Sequence, residues 1–351
     1  VSPNPPSAGD PTPLRFDLSV VPGGYAWWYL DGISDDGAHG LTIILFVGSV
    51  FSPSYARARK CLGSGRDGEV ELAAAERFCA VNVALYDLRE GGRAGAWALN
   101  EHADFARDRE SLRIGSSSVR WTEPAPGQPE LVIELDERAT LFFGRPGPPL
   151  RGRVRLRPAT IFAPRVELDR WQAAPRHRWY PVAPHARVEV ELDEPKLRFS
   201  GSGYHDVNEG DEGLEQGFAS WNWLRCDLGE ATTIAYDVID HAGRPHARAW
   251  RFAAERGEIE AIPEGELGPA VALPTTRWGV ARAVRSDPGH PPSLVQTLED
   301  APFYSRNLVR VRLGGREGAA MHESIDLRRF ARAWVRFLLG FKINRRRAGT
   351  R

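Results

Sequence analysis

The stretch "ARVEVELDE", residues 186–194, limits the fold more than any other part of the chain. Val188, Val190 and Leu192 alternate strictly with Glu189, Glu191 and Asp193. Successive side chains of a strand point to opposite faces, so a period of two describes a sheet with one buried face and does not fit a helix. The same texture recurs before it in "GYAWWYLDG" (24–32), "GLTIILFVGS" (40–49), "CAVNVALYDL" (79–88), "ELVIELD" (130–136), "ATLFFG" (139–144) and "GRVRLRP" (152–158). It continues in "KLRFSG" (196–201), "EQGFASWNWLRC" (215–226), "EATTIAYDVID" (230–240), "HARAWRF" (246–252) and "NLVRVRLGG" (307–315). These runs are β-branched or aromatic and are bounded by turn residues, which suits a chain with 35 Gly and 27 Pro. Regularly spaced strands without intervening helices argue for barrels or sandwiches, and 351 residues suffice for two such units. The expectation is therefore an all-β protein. Alternation restarts straight after "YPVAPHA" (180–186), which suggests a leader at 1–15, β domains at 16–182 and 183–325, and a separate tail at 326–351.

That tail breaks the pattern. Leu327, Phe330, Ala331, Trp334, Phe337, Leu338 and Phe341 fall at spacings of three and four, with Arg328, Arg329, Arg332 and Arg336 on the other side. This predicts an amphipathic helix. Residues 326–351 hold nine Lys or Arg and one acid, Asp326, a net of +8; the whole chain is neutral, so the body carries −8. A general nucleic-acid binder would not distribute charge this way, whereas a basic anchor on an acidic body would. Cationic charge beside Trp and Phe suits an anionic lipid surface, with Phe330, Trp334, Phe337 and Phe341 as the contacts. A surface helix packed on a barrel is the plainer alternative. The leader has no basic start or apolar core, and no run of 18 apolar residues exists, so neither a signal peptide nor a membrane span is expected. Cys61, Cys79 and Cys226 are odd in number and widely spaced, as in a reduced protein. The expected location is peripheral, on the cytoplasmic face of the inner membrane.

Common catalytic templates are absent: there is no GxSxG elbow, P-loop or HExxH, and the nine histidines show no metal-ligand spacing. "DVNEGDEG" starts like a calcium loop but has Gly210 and Gly217 where ligands are needed. What stands out is aromatic and acidic density between 171 and 240: "RWQAAPRHRWYPVAPHA", "GSGYHDVNEG", "FASWNWLR" and "AYDV". His177 and Trp179 share one side of an extended segment, as do Tyr204 and Asp206. Two readings are open. Asp206 caps a glycine-marked turn while Trp179, Trp221 and Trp223 fill a core. Or an acid in an apolar aromatic box stays protonated, while Trp and Tyr faces stabilise a cation. The second combination describes carbocation chemistry on an alkene, with Asp237 the next candidate acid.

At these residues the chain resembles the carotenoid 1,2-hydratase family, also called hydroxyneurosporene synthases, from "GYAWWYLDG" and "LFVGSVFSPSY" (45–55) to "FASWNWLR". The resemblance implies two lipocalin-like β domains. It also implies cofactor-free addition of water to the terminal double bond of an acyclic carotenoid such as neurosporene or lycopene, giving a tertiary alcohol. The family's proposed acid matches Asp206, and its supporting residues match His177, Trp179 and Tyr204. Trp221, Trp223 and Tyr236 are then expected to face the cation, and His177 to orient the water. No metal is implied.

Overall fold

A computed structural model of the chain describes residues 14–65, 67–89, 94–253 and 256–346; most of the expected leader and the basic residues after 346 lie outside these. The all-β expectation holds. Among the described residues, the strands form a 13-stranded sheet, a 7-stranded sheet and a two-stranded ribbon. A curled sheet forms a half-barrel. Two compact units result. One ends at Gly213 and takes back the chain from Phe337 onward, and the other is Leu214–Arg336.

The expected boundary at 182/183 falls inside a single strand. Four neighbouring antiparallel strands of the larger sheet matter most: β1 (Tyr25–Ser34), β2 (His39–Val47), β3 (His177–Glu194) and β4 (Leu197–Gly210), in the order β2-β1-β4-β3. "YPVAPHA" is the irregular middle of β3, where the ladder to β4 shifts register between Tyr180 and Ala183 and again between Ala183 and Ala186. Pro181 and Pro184 cannot donate to a ladder, so a strand carrying them inside a sheet must bulge. The chain is bent there but not divided.

Along β1, alternation separates two environments. Ala26, Trp28 and Leu30 enter a core shared with Ile43, Leu45, Val47, Tyr180, Val182 and Val207. Burial of each larger apolar side chain contributes roughly 1.5–3 kcal/mol. The opposite face carries Tyr25, Trp27, Tyr29 and Asp31, and these too are buried. The β1–β4 ladder runs without a register shift from Tyr25↔Gly210 to Ser34↔Gly201. "GSGYHDVNEG" is therefore interior strand and not a bend. At Gly210 a Cβ would stand 2.4 Å from the Tyr25 ring and 2.9 Å from His177 Nδ1. That glycine answers to crowding between strands.

The tail forms two short helices, α1 (Leu327–Phe330) and α2 (Ala333–Leu339), instead of one long one. Asp326 caps α1 by accepting from the Arg329 amide at 2.9 Å. The amides of Leu327 and Arg328 both bond to the Ala219 carbonyl, which pins α1 to the sheet edge. Phe330 is buried, 5.0 Å from the Phe303 ring, so it is not an available lipid contact. The break changes the helical phase: Val335 and Leu339 turn inward, while Trp334, Phe337 and Phe341 are exposed. None of the described helices is long and apolar enough to cross a membrane.

Candidate active site

Asp206 lies in the middle of β4, on the aromatic face, and is 3% exposed. Its Oδ2 accepts from Tyr204 Oη at 2.6 Å and from Trp179 Nε1 at 2.8 Å, and its Oδ1 accepts from Asn208 Nδ2 at 3.2 Å. Tyr204 and Asn208 reach it because residues two apart on a strand share a face; Trp179 reaches it because it stands opposite Asn208 on β3. Burial opposes a negative charge here, while three converging donors favour one. The turn-cap reading of Asp206 does not fit a position inside a ladder.

His177 is on the same face but at its end, opposite Gly210. That is four residues along β4 from Asp206, about 13 Å by strand rise. Its Nδ1 meets Tyr25 Oη at 2.9 Å, its Nε2 lies 3.5 Å from Glu212 Oε1, and its amide donates to Asp169. The ring braces the strand ends and is outside hydrogen-bond reach of the acid. His205 points to the opposite face, against Trp121, and its Nδ1–H donates to the Tyr29 carbonyl at 2.8 Å. Burial pushes its pKa down to about 4, so it stays neutral.

Trp221, Trp223 and Tyr236 belong to the Leu214–Arg336 unit, on the strands Ser220–Asp227 and Ala231–Ile239. Trp223 pairs with Tyr236 in the ladder, and the Trp221 and Tyr236 rings meet edge-on at 6.2 Å. The structure groups these three with one another. Asp237 is ion-paired with Arg285 at 2.6 Å, and burial raises its pKa against the pull of that arginine.

The strand β1 holds what the sequence reading missed. Tyr29-Leu30-Asp31 repeats the Tyr-x-Asp spacing of Tyr204-His205-Asp206, and β1 and β4 are antiparallel neighbours. Tyr29 stands opposite Asp206, and Asp31 stands opposite Tyr204. Tyr29 Oη donates to Asp31 Oδ2 at 3.0 Å, mirroring the Tyr204 bond, and the two phenol rings meet edge-on at 5.9 Å. Asp31 is fully buried. Trp27, opposite Asn208, extends the aromatic wall toward Tyr25, with ring centroids 4.8 Å apart. The repeated Tyr-x-Asp was visible in "GYAWWYLDG", but only the pairing of β1 with β4 shows that the copies meet.

A family model described as carotenoid hydratase CrtC matches residues 43–351. An acyclic carotenoid 1,2-hydratase of Thiocapsa roseopersicina is 43% identical over 94% of this chain and 75% of its own length. An enzyme of the same name from Rubrivivax gelatinosus is 40% identical over 95% of this chain and 76% of its own length. Among solved structures, an AttH protein of Nitrosomonas europaea superposes with a TM-score of 0.57 at 15% identity, over 93% of this chain and all of that one, a likeness of fold alone.

Proposed function

The chain belongs to the carotenoid hydratase family, and from that premise we propose that Asp206 is the acid with which it hydrates acyclic carotenoids. The protein is a hydro-lyase that adds water across the terminal double bond of an acyclic carotenoid, as its relatives' names describe. The observation that carries the role of Asp206 is the convergence of Tyr204, Trp179 and Asn208 on one buried carboxyl inside an aromatic wall. Protonated Asp206 delivers its proton to the less substituted carbon of the double bond. The tertiary cation that develops is faced by Trp179, Tyr204, Tyr29 and Trp27, each ring contributing about 0.5–2 kcal/mol. The same step leaves a carboxylate, and the three donors stabilise it as it forms, so they act on charge that grows in the transition state. Water captures the cation and gives the alcohol. No step calls for a cofactor.

The test is turnover of lycopene in liposomes, without oxygen, by protein dialysed against a chelator. One labelled oxygen from heavy-oxygen water should enter each tertiary alcohol, at an unchanged rate. Pigment that binds but stays unaltered would make the chain a carrier, and a rate restored only by added metal would replace the cofactor-free scheme.

The same proposal puts the protein peripherally on a membrane, at the cytoplasmic face of the inner membrane, where a bilayer-held substrate is collected. Exposed apolar side chains in the unit that holds Asp206 support it. Leu141, Phe143, Phe337 and Phe341 are 49%, 73%, 66% and 39% exposed, and the Phe341 ring touches those of Phe143 and Phe337 edge-on. Phe143 adopts φ 60°, a left-handed conformation that a bulky residue rarely takes, and its ring projects outward. Lys342 and Arg345, on the same returning segment, supply positive charge worth roughly 1 kcal/mol each near anionic lipid. Replacing Phe143, Phe337 and Phe341 together with Ser should lower binding to anionic vesicles by at least about tenfold, with little change in melting temperature, and salt should weaken wild-type binding. Unchanged co-sedimentation of the triple variant would remove these rings from the membrane contact. Substitution is the cleaner test here, because deleting 326–351 would also remove the buried Leu327, Phe330 and Val335.

A further inference from the structure

We infer that Asp31 is the second carboxylate of the reaction, the base that takes the proton of the attacking water, with Thr42 holding that water beside it. The inference rests on the role of Asp206 proposed above. Hydration needs two proton movements: one onto the alkene, and one off the water once its oxygen bonds to the cation. Asp206 accounts for the first, and His177, engaged with Tyr25 and Glu212, is too far along the sheet to serve the second.

Asp31 is where the second is needed. Opposed pairs Tyr29↔Asp206 and Asp31↔Tyr204 make the two carboxylates diagonal neighbours on one face, about 7–8 Å apart at the backbone. The general arrangement, an acid and a base set apart with room for a water between them, is the one inverting glycosidases use. The two are not redundant. Asp206 accepts from an indole N–H, a phenol and an amide, whereas Asp31 accepts from Tyr29 and stands opposite Tyr204 on β4 and the buried hydroxyl-bearing Thr42 on β2.

An independent observation marks the same spot. Thr42 is fully buried, and its Oγ1 has no hydrogen-bond partner among the described residues. Asn208, beside Asp206 and 2% exposed, has an equally unpartnered Oδ1. Buried polar atoms are rarely left unsatisfied, and each such atom calls for an explanation. Two of them on one face, flanking the two carboxylates, mark a place built to hold small polar molecules within an aromatic wall. The balanced step is then complete. The O–H bond of water breaks toward Asp31 as its oxygen bonds to the tertiary carbon. Asp31 gains the proton released by the water, while the proton given up by Asp206 stays on the neighbouring carbon. Proton exchange with solvent returns both carboxyls to their starting states, and the net change is one water added.

The experiment is incubation of the full-length protein with lycopene in liposomes made up in heavy water. Two products are followed: the alcohol, and deuterium at the vinylic carbon of recovered lycopene. In Asp31→Asn the alkene can still be protonated, but the cation reverts. Alcohol formation should fall by about 10²–10⁴-fold, while deuterium continues to enter unreacted lycopene. Asp31→Glu should restore part of the hydration, and Thr42→Val should lower it about tenfold while exchange persists. In Asp206→Asn both hydration and exchange should vanish, and if they do not, the proposed acid fails, whatever Asp31 does. Hydration within threefold of wild type in a folded Asp31→Asn variant overturns the role of Asp31. So does loss of exchange together with hydration while Asp206 remains. If Asp31→Asn does not fold, Thr42→Val decides: unchanged hydration, or exchange lost in proportion with it, overturns the water site.

Discussion

Asp206→Asn is expected to lower hydration by about 10²–10⁴-fold while leaving carotenoid binding and melting temperature close to those of the wild type. The substitution is nearly isosteric. Its amide oxygen can take the place of Oδ2, accepting from Trp179 Nε1 and Tyr204 Oη, and its NH₂ then faces the Asn208 amide, which can turn to accept. Packing on the face and the strand pairing are untouched. What is lost is a proton that can be given away. A purely structural Asp206 would predict the reverse, since Asn would satisfy the same neighbours at full activity. Turnover, pigment binding and thermal melting of this one variant separate the two, and an active enzyme would remove Asp206 as the acid.

The second large effect is at Trp179, which is fully buried on β3. Trp179→Phe keeps an aromatic face but removes the indole N–H that donates to Asp206. A hydrogen bond to a charged group is worth about 1.5–3 kcal/mol, so turnover should fall roughly 10- to 100-fold with a modest change in stability. Trp179→Ala also removes one wall around the cation and leaves a cavity costing about 3–5 kcal/mol, so activity and melting temperature should both drop sharply. The informative comparison is between the two variants. If Trp179→Phe retained full turnover, the N–H would have no part in steadying the carboxylate, and the residue's contribution would be packing.

Much of this site was legible in the chain. Val188, Val190 and Leu192 announced a sheet because a period of two survives any register. Spacing places Tyr204 with Asp206 and Trp179 with His177 on shared sides of their strands, and the resemblance to the carotenoid hydratases is what implies their roles. Asp31 could not be chosen among the acids, since its meaning depends on β1 lying beside β4, where it stands opposite Tyr204, 173 positions away (204 − 31) in sequence. "YPVAPHA" reads as a link because strand alternation restarts straight after it. Only a bulged interior strand accommodates Pro181 and Pro184, and neighbouring ladders decide that. The tail shows the same limit in a helix. Its apolar spacing was continuous from Leu327 to Phe341, but the docking of Phe330 on Phe303 and the bonds to the Ala219 carbonyl impose a break that periodicity cannot encode.

The return of the chain to its first unit has a consequence for how the molecule is made. The strand Asn344–Arg346 adds in parallel to Ala94–His102, and Asn344 donates to Thr140 Oγ1 at 3.0 Å. The unit carrying Asp206 is therefore finished only when the last part of the described chain leaves the ribosome, after Leu214–Arg336 has been synthesised as an insertion. During that interval the edge at Asn100–His102 lacks its partner strand, and an unpaired edge is the kind of surface that invites association with other chains. A nascent protein stalled or cleaved before Asn344 would keep every proposed catalytic side chain and still lack the strand that pairs with Asn100–His102. Its first fault would then be aggregation, before any failure of chemistry.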